Sequence, residues 1–383
     1  MIKLIKNADV YTPRHIGRAD VLIANDRIAA VEWDISGFDG LKGVEIFDFG
    51  GKKLIPGFVD AHVHITGGGG ESGPASRVPE ITLSQLTLNG ITTVVGLLGT
   101  DGITRSLENL LAKCRALNGE GITCYCLTGS YQYPTITATG SVMRDICLLD
   151  PVIGVKIAIA DHRSSGLTGN ELIRLGADAR LGGLISGKPG IVTIHVGSSG
   201  DMLDLLFYTL DHSDIPIKNF IPTHLGRSTG LIKQAAEFVK RGGTADFTAD
   251  DGREECAADI IYELVESGIE PERLTISSDS CGSLPRFNER GECIGLTYAT
   301  PATMMKELKR LTFEHNMPLE TALLFLTKNP ARMIGKAGVK GEIIPGADAD
   351  IVVLDEEFTI TDVFARGVLA VANSKPIIKG MFE

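Results

Sequence analysis

Long uninterrupted apolar runs are missing from this chain of 383 residues. A hydrophobic leader is missing too, because the strand-like opening Ile2 to Tyr11 is broken by Lys3 and Lys6. A membrane-spanning helix needs about 20 apolar residues in a row, so no span and no secretory signal are expected. Excess positive charge is also lacking. Lys and Arg number 37 against 48 Asp and Glu, a net charge of −11. That balance argues against partners with a phosphate backbone and against an anionic membrane surface. The seven cysteines are odd in number and lack zinc-finger spacing. Without a disulfide framework, a reducing, cytoplasmic location is expected, and Cys124 and Cys126 read as small core hydrophobes. No G-x-G-x-x-G follows the first apolar strand, which removes the main support for a doubly wound nucleotide-binding sheet. The chain shows no internal repeat and no low-complexity linker.

What is present is a large apolar fraction, 43 %, with 45 glycines for tight turns. Both ends read as β. Residues 1–53 carry alternating segments with a hairpin signal at Asn25-Asp26, and 341–383 carry strand signals at 349–354, 362–365 and 368–372. Neither end alone covers its apolar face, so the two are expected to pair into one small β-sandwich. Between them, over 54–340, short apolar strands alternate with amphipathic helices. Strands are predicted at 54–60, 91–98, 121–128, 152–159, 190–196, 217–223, 243–248 and 273–278. Helices are predicted at 107–117, 170–180, 203–210, 231–241 and 257–267. Eight such alternations predict the α/β class and a (β/α)8 TIM-like barrel.

Barrel active sites lie at the C-terminal ends of the strands. The first predicted strand ends in Asp60-Ala61-His62-Val63-His64, where alternation points His62 and His64 the same way, a pairing that suits one metal ion. The fifth ends at His195, the sixth at His224 and the eighth at Asp279, while the fourth holds Lys156 among apolar neighbours. A buried lysine is costly when charged and unpaired, and burial favours the neutral amine, which reacts with CO2 to give a carbamate. The alternative is a lysine paired with a buried acid. Four histidines and Asp279 at neighbouring strand ends favour the carbamate, whose two oxygens can bridge two metals. Two divalent cations against a carbamate, a carboxylate and a hydroxide leave one net positive charge, and N and O donors suit zinc.

These residues resemble the amidohydrolase superfamily and, within it, the bacterial isoaspartyl dipeptidases. The His-x-His, Lys, His, His, Asp set carries the first likeness. Gly67-Gly68-Gly69-Gly70-Glu71, the stretch Val94 to Asp101 containing Thr100, Tyr131, Asp161-His162-Arg163 and Arg227 carry the second. The resemblance implies two Zn2+ per chain, with His62, His64 and Asp279 on one and His195 and His224 on the other. Carboxylated Lys156 and a hydroxide would bridge them. It also implies a homo-oligomer, often an octamer, and a small peptide substrate; the charge balance leaves no nucleic acid or membrane partner expected.

The expected reaction is attack by the bridging hydroxide on an amide carbonyl, with Tyr131 steadying the oxyanion and Asp279 shuttling the proton. An isoaspartyl dipeptide has a free α-amine, two carboxylates and a β-linked amide. Glu71 suits the amine, and Arg163 and Arg227 suit the carboxylates, each through a two-pronged grip. Thr100 and Ser283 match positions that contact substrate in the resembled family. For each of these residues taken singly, an ordinary surface-loop group is the alternative, and Gly67 to Gly70 reads equally as a bare flexible turn. The segment 131–141 is either a lid or an ordinary loop. The charged run Asp250-Asp251-Gly252-Arg253-Glu254-Glu255 has no assigned role, and Cys281 is not expected to ligate metal. The rival functions are a cyclic amidase of the dihydropyrimidinase or dihydroorotase type, and a non-catalytic scaffold on the same fold.

Overall fold

The computed structural model describes residues 1–249, 256–287 and 293–383. Five strands open the chain: β1 (Ile2–Tyr11), β2 (His15–Ala24), β3 (Arg27–Glu32), β4 (Val44–Asp48) and β5 (Lys53–Pro56). Then come β6 (Phe58–Val63), β7 (Ile91–Gly96), β8 (Thr123–Gly129), β9 (Val152–Ile159), β10 (Ile191–Val196), β11 (Phe220–Thr223), β12 (Ala245–Thr248) and β13 (Leu274–Ser277). A hairpin of β14 (Ser283–Phe287) and β15 (Cys293–Tyr298) follows, and β16 (Ile351–Leu354), β17 (Ile360–Ala365), β18 (Val368–Ala372) and β19 (Lys375–Pro376) end the chain.

Strands β6 to β11 form one parallel sheet in sequence order, and β12 pairs in parallel with β13. The Leu225 amide donates to Asp246 O at 3.3 Å, linking the end of β11 to β12. A parallel bridge between Val63 and Ser280 joins the other edge to the segment after β13. Helices Leu107–Glu120, Gly169–Ser186, Asp204–Asp211, Thr229–Lys240 and Ala257–Glu266 lie between strands. A curled parallel sheet crossed by helices is a TIM-like barrel. One apolar cluster takes Val59, Val95, Leu127, Ile153, Ile191 and Ile221 from six successive strands and adds Ala331, Met333 and Ile334. Among the described residues, no helix is long and apolar enough to cross a membrane.

The expected strand over 54–60 is two strands. Gly57 separates them, because a Cβ there would lie 2.3 Å from Thr92 Oγ1. On one side, Leu54 and Ile55 pair with Val353 and Val352 of β16. On the other, β6 enters the barrel. Pattern reading merges the two because the apolar run crosses the break. The helix expected over 170–180 continues to Ser186, and stops where Gly187 adopts φ 69°. Its Gly183 is the near-contact point, with Lys188 O only 2.7 Å from a Cβ placed there.

The chain ends meet in one nine-stranded sheet, ordered β19-β18-β17-β16-β5-β1-β2-β3 with β4 on β1. Its apolar cluster includes Ile5, Val21, Ile23, Leu54, Ile351, Val353 and Phe364. A buried charge cluster ties this sheet to the barrel. Lys340, 1 % exposed, places Nζ 2.6 Å from carboxylate oxygens of both Asp348 and Asp350 and donates to Thr123 Oγ1 at the start of β8. Lys340→Met would leave buried Asp350 without its cation and Asp348 with Arg27 alone. Breaking such a pair costs about 3–5 kcal/mol, so a thermal melt should show a drop of several degrees. An unchanged melting temperature would remove the cluster from the stabilising contacts.

Candidate active site

The C-terminal ends of the barrel strands bring all six expected metal-ligand residues together. His62 lies in β6 and His64 just beyond it; His195 is the next-to-last residue of β10; His224 and Asp279 follow β11 and β13. Ring centroids step from His64 to His62 at 5.7 Å, His62 to His224 at 5.0 Å, and His224 to His195 at 4.5 Å. His224 and Asp279 take positive φ values of 65° and 52°. Such non-glycine strain is concentrated at functional sites. Lys156 is fully buried in β9, its Nζ 3.0 Å from His62 Nε2. Burial brings the amine down to about 7. The buried carboxylates of Asp279 and Asp246 are near enough to favour its charged form, against burial.

This donor set fits a metal centre. Burial first, then nearby cations (Lys156 for His62, Arg227 for His195 and His224), pushes the three imidazoles well below their usual range. The neutral ring is the form that binds metals. His62 Nδ1 and His64 Nδ1 are buried with no hydrogen-bond partner. Ligand atoms of His62, His224 and Asp279 all lie within 4.8 Å of one another. Burial raises the Asp279 carboxyl, but His64 Nε2 at 3.1 Å and then the Lys156 amine outweigh it and hold the carboxylate ionised.

Beneath the ligands lies a polar layer that composition alone does not reveal. Asp60 accepts bonds from the Ser278 amide (3.1 Å) and hydroxyl, and burial lifts its carboxyl to about 7. Asp246 accepts from Thr223, Thr275 and Ser277 at 2.6–2.7 Å, spanning β11 to β13. These contacts fix the strand ends that carry His224 and Asp279.

Above the ligands opens a cavity of about 690 Å³. Glu71 is its polar hub. Its carboxylate accepts from Thr100 Oγ1 at 3.2 Å and Ser283 Oγ at 3.1 Å, and lies 3.5 Å from Arg163 Nη1. Four of the expected substrate residues thus meet although 212 positions separate Glu71 from Ser283. Arg227 borders the same space, donating to Val196 O at 2.8 Å. Leu284 and Leu296 of the β14–β15 hairpin add an apolar wall. The Tyr131 phenol, raised by burial, stays protonated, and its oxygen is 2.6 Å from His195 Nδ1.

The fold sharpens three readings of the sequence. Gly67 to Gly70 is not a bare flexible turn. A Cβ at Gly67 would meet Val78 O at 2.0 Å and one at Gly69 would meet Ser76 O at 2.4 Å. Buried Arg105, unnoticed in the sequence, donates to the carbonyls of Thr66, Gly68 (3.0 Å) and Val78 (2.8 Å), and so holds the loop that carries Glu71. Arg163 does not offer both edges to a ligand, because Asp161, also given no role from sequence, occupies its inner edge. In the 131–141 segment, Asp145 accepts from Thr128, the Ala138 amide (2.9 Å) and Thr139 (2.6–2.7 Å), which ties its second half down. Cys281 is buried and raised to about 11, which keeps it a thiol. The charged run at 250–255 lies outside the described residues.

The Amidohydrolase family profile matches residues 220–381. The beta-aspartyl dipeptidase of Fervidobacterium islandicum AW-1, solved in complex with a beta-Asp-Leu dipeptide, is 45 % identical, superposes with a TM-score of 0.91, and is covered over 98 % of both chains. A dihydropyrimidinase from Brevibacillus agri, 17 % identical with a TM-score of 0.68 over 99 % of this chain and 97 % of that one, shares the fold. A Lactobacillus johnsonii dihydroorotase is 38 % identical over 96 residues, 25 % of this chain and 20 % of that protein. The chain spans about a fifth of the length of such curated relatives. Near-complete coverage at 45 % identity, on a barrel whose strand ends converge on neutral histidines, places it: the chain belongs to the beta-aspartyl dipeptidase group of the amidohydrolase family and is a metal-dependent hydrolase.

Proposed function

We propose that this protein hydrolyses the β-linked amide of isoaspartyl dipeptides at a pair of zinc ions. The carrying observation is the charged cluster directly above the histidines: Glu71 and two guanidiniums, Arg163 and Arg227, with buried Asp161 on their inner side. That set complements one ammonium and two carboxylates. The solved relative that holds a beta-Asp-Leu dipeptide supports the same substrate.

In this reading His62, His64 and Asp279 would hold one ion and His195 and His224 the other, with a carbamate on Lys156 as a further ligand. When bound, the pair supplies Lewis acidity and lowers the pKa of water to supply the nucleophile. The chain's residues do the rest. Glu71 exchanges its contacts with Thr100 and Ser283 for the substrate ammonium. Arg163 and Arg227 hold the carboxylates and so set the position of the scissile amide. Tyr131 turns its hydroxyl from His195 towards the amide oxygen as charge develops there. Asp279 accepts the proton of the attacking water and returns it to the departing amine.

The fold belongs to this reading too: an eightfold barrel over the expected 54–340, less the residues of β5, supported by the contacts that link β11 to β12 and Val63 to Ser280, with a β-sandwich of 1–53 and 341–383 to which β5 adds Leu54 to Pro56, supported by β5–β16 pairing. A homo-oligomer in the cytoplasm completes it, by family resemblance.

Steady-state assays with β-Asp-Leu, hydantoin and dihydroorotate test the substrate. Turnover of the dipeptide is expected; hydrolysis of the rings alone would transfer the site to the cyclic amidases, and no turnover or bound metal would favour the scaffold. The carbamate has its own test. Carbon-13 bicarbonate should give a carbamate resonance in the wild-type protein and none in Lys156→Met, which should also hold well under the roughly two metal ions per chain of the intact site. A variant with full metal content would end the bridging role of Lys156.

A further inference from the structure

We propose that Asp161 is a positioning residue that decides which edge of Arg163 meets the substrate, an inference that rests on the substrate reading above. A guanidinium has two usable edges, Nε with one Nη and the two Nη together. Asp161 takes the first. Its Oδ1 accepts from Arg163 Nε at 2.9 Å and its Oδ2 from Nη2 at 2.8 Å. The same Oδ1 accepts the Arg163 backbone N–H at 2.8 Å, so side chain and main chain are locked by one group. The outer edge is what remains, and its Nη1 lies 3.5 Å from Glu71 in the cavity.

The carboxylate is itself held in place. Its side chain is 4 % exposed, and a Cβ on Gly197 would come within 2.5 Å of Asp161 Cβ, so only glycine leaves room there. Beyond Arg163, the groups facing it are His195 Nε2 at 2.9 Å, His162 Nδ1 at 3.6 Å and Arg227 Nη1 at 4.0 Å. Asp161 therefore stands between both guanidiniums. It balances one of two like charges that would otherwise repel each other next to an imidazole. A substrate carboxylate then finds Arg163 already aimed, with the entropy of ordering a long side chain lost in folding instead of in binding.

Asp161→Asn keeps the volume but removes the charge and turns an N–H towards the guanidinium. In the zinc-loaded enzyme, KM for β-Asp-Leu should rise about 10–100-fold, as for other supporting groups around a site, with kcat changed less than about threefold and metal content unaltered. Arg163→Ala should mask the substitution: the double variant should match Arg163→Ala alone. Asp161→Glu should recover part of the loss. A second readout needs no turnover. Nitrogen-15 arginine labelling should show an exchange-protected Arg163 Nε–H in the wild type that is lost in Asp161→Asn. If Asp161→Asn folds poorly, Asp161→Ala tests the same point without a new donor, and it too should raise KM and remove the protected Nε–H. Additive losses in the double variant, or lower kcat and metal content at constant KM, would overturn the proposal and assign Asp161 to His195. If the wild type leaves β-Asp-Leu intact while the Nε–H signal behaves as expected, the substrate reading fails and the positioning stands.

Discussion

Asp279→Asn is expected to lower kcat for β-Asp-Leu by about 10²–10⁴-fold, the usual range for a removed general acid–base group, with the fold intact. The substitution is close to isosteric, and asparagine, like aspartate, tolerates the left-handed backbone that Asp279 adopts at φ 52°. Packing should therefore survive, and circular dichroism should show an unchanged melt. What is lost is chemical. A carboxamide cannot accept the proton of the attacking water. Its amide nitrogen cannot replace a carboxylate oxygen 3.1 Å from His64 Nε2 and 3.5 Å from His62 Nε2. The loss should fall on kcat more than on KM, because in the proposed mechanism Asp279 meets the reacting atoms and not the charged ends of the substrate. A variant that keeps its metal and turns over at the wild-type rate would exclude Asp279 as the proton carrier.

The residues beneath this prediction differ in how visible they are in one dimension. His62, His64, Lys156, His195, His224 and Asp279 stand out because each is a polar group at the end of, or inside, an apolar strand, where burial is expensive without a purpose. The alternation of strands and helices is equally legible, since periodicity survives in any single sequence. The residues that support the site are not. Asp161 sits two positions from Arg163, yet nothing local says that its carboxylate, and not solvent, fills the inner edge of that guanidinium. Arg105 looks like any helix-flanking cation until the fold brings three carbonyls to it. The Gly67 to Gly70 run reads as a turn, and its packing against Val78, Ser76 and Cys281 exists only after the chain closes. The split at Gly57 depends on Thr92, which is 35 residues away in sequence (92 − 57) and adjacent in space. Local pattern thus locates the chemistry, and long-range hydrogen bonds and steric contacts decide how it is aimed.

Arg227→Ala is the second large expected effect, and it is a test of aim. Arg227 is anchored by its bond to Val196 O at 2.8 Å, stands 3.1 Å from His195 Nε2, and is only partly exposed at the cavity wall. On the proposed substrate, truncating it would leave a carboxylate facing a desolvated wall with no cation. Removing one partner of such a pair costs about 2–5 kcal/mol, so kcat/KM for β-Asp-Leu should fall roughly 30- to 5,000-fold. Arg227→Lys should recover only part of this, because an ammonium restores the charge but not the planar fork. Substrates separate recognition from damage to the metal site. Dipeptides with one carboxylate converted to an amide should each be poor for the wild type, and the one missing the carboxylate that Arg227 holds should be no worse for Arg227→Ala. Glu71, Arg163 and Arg227 then divide the substrate's three charges among them, and the amide between those charges is delivered to Asp279. If Arg227→Ala keeps the parental kcat/KM on β-Asp-Leu, that division is wrong, and Arg163 with Glu71 must read the dipeptide without it.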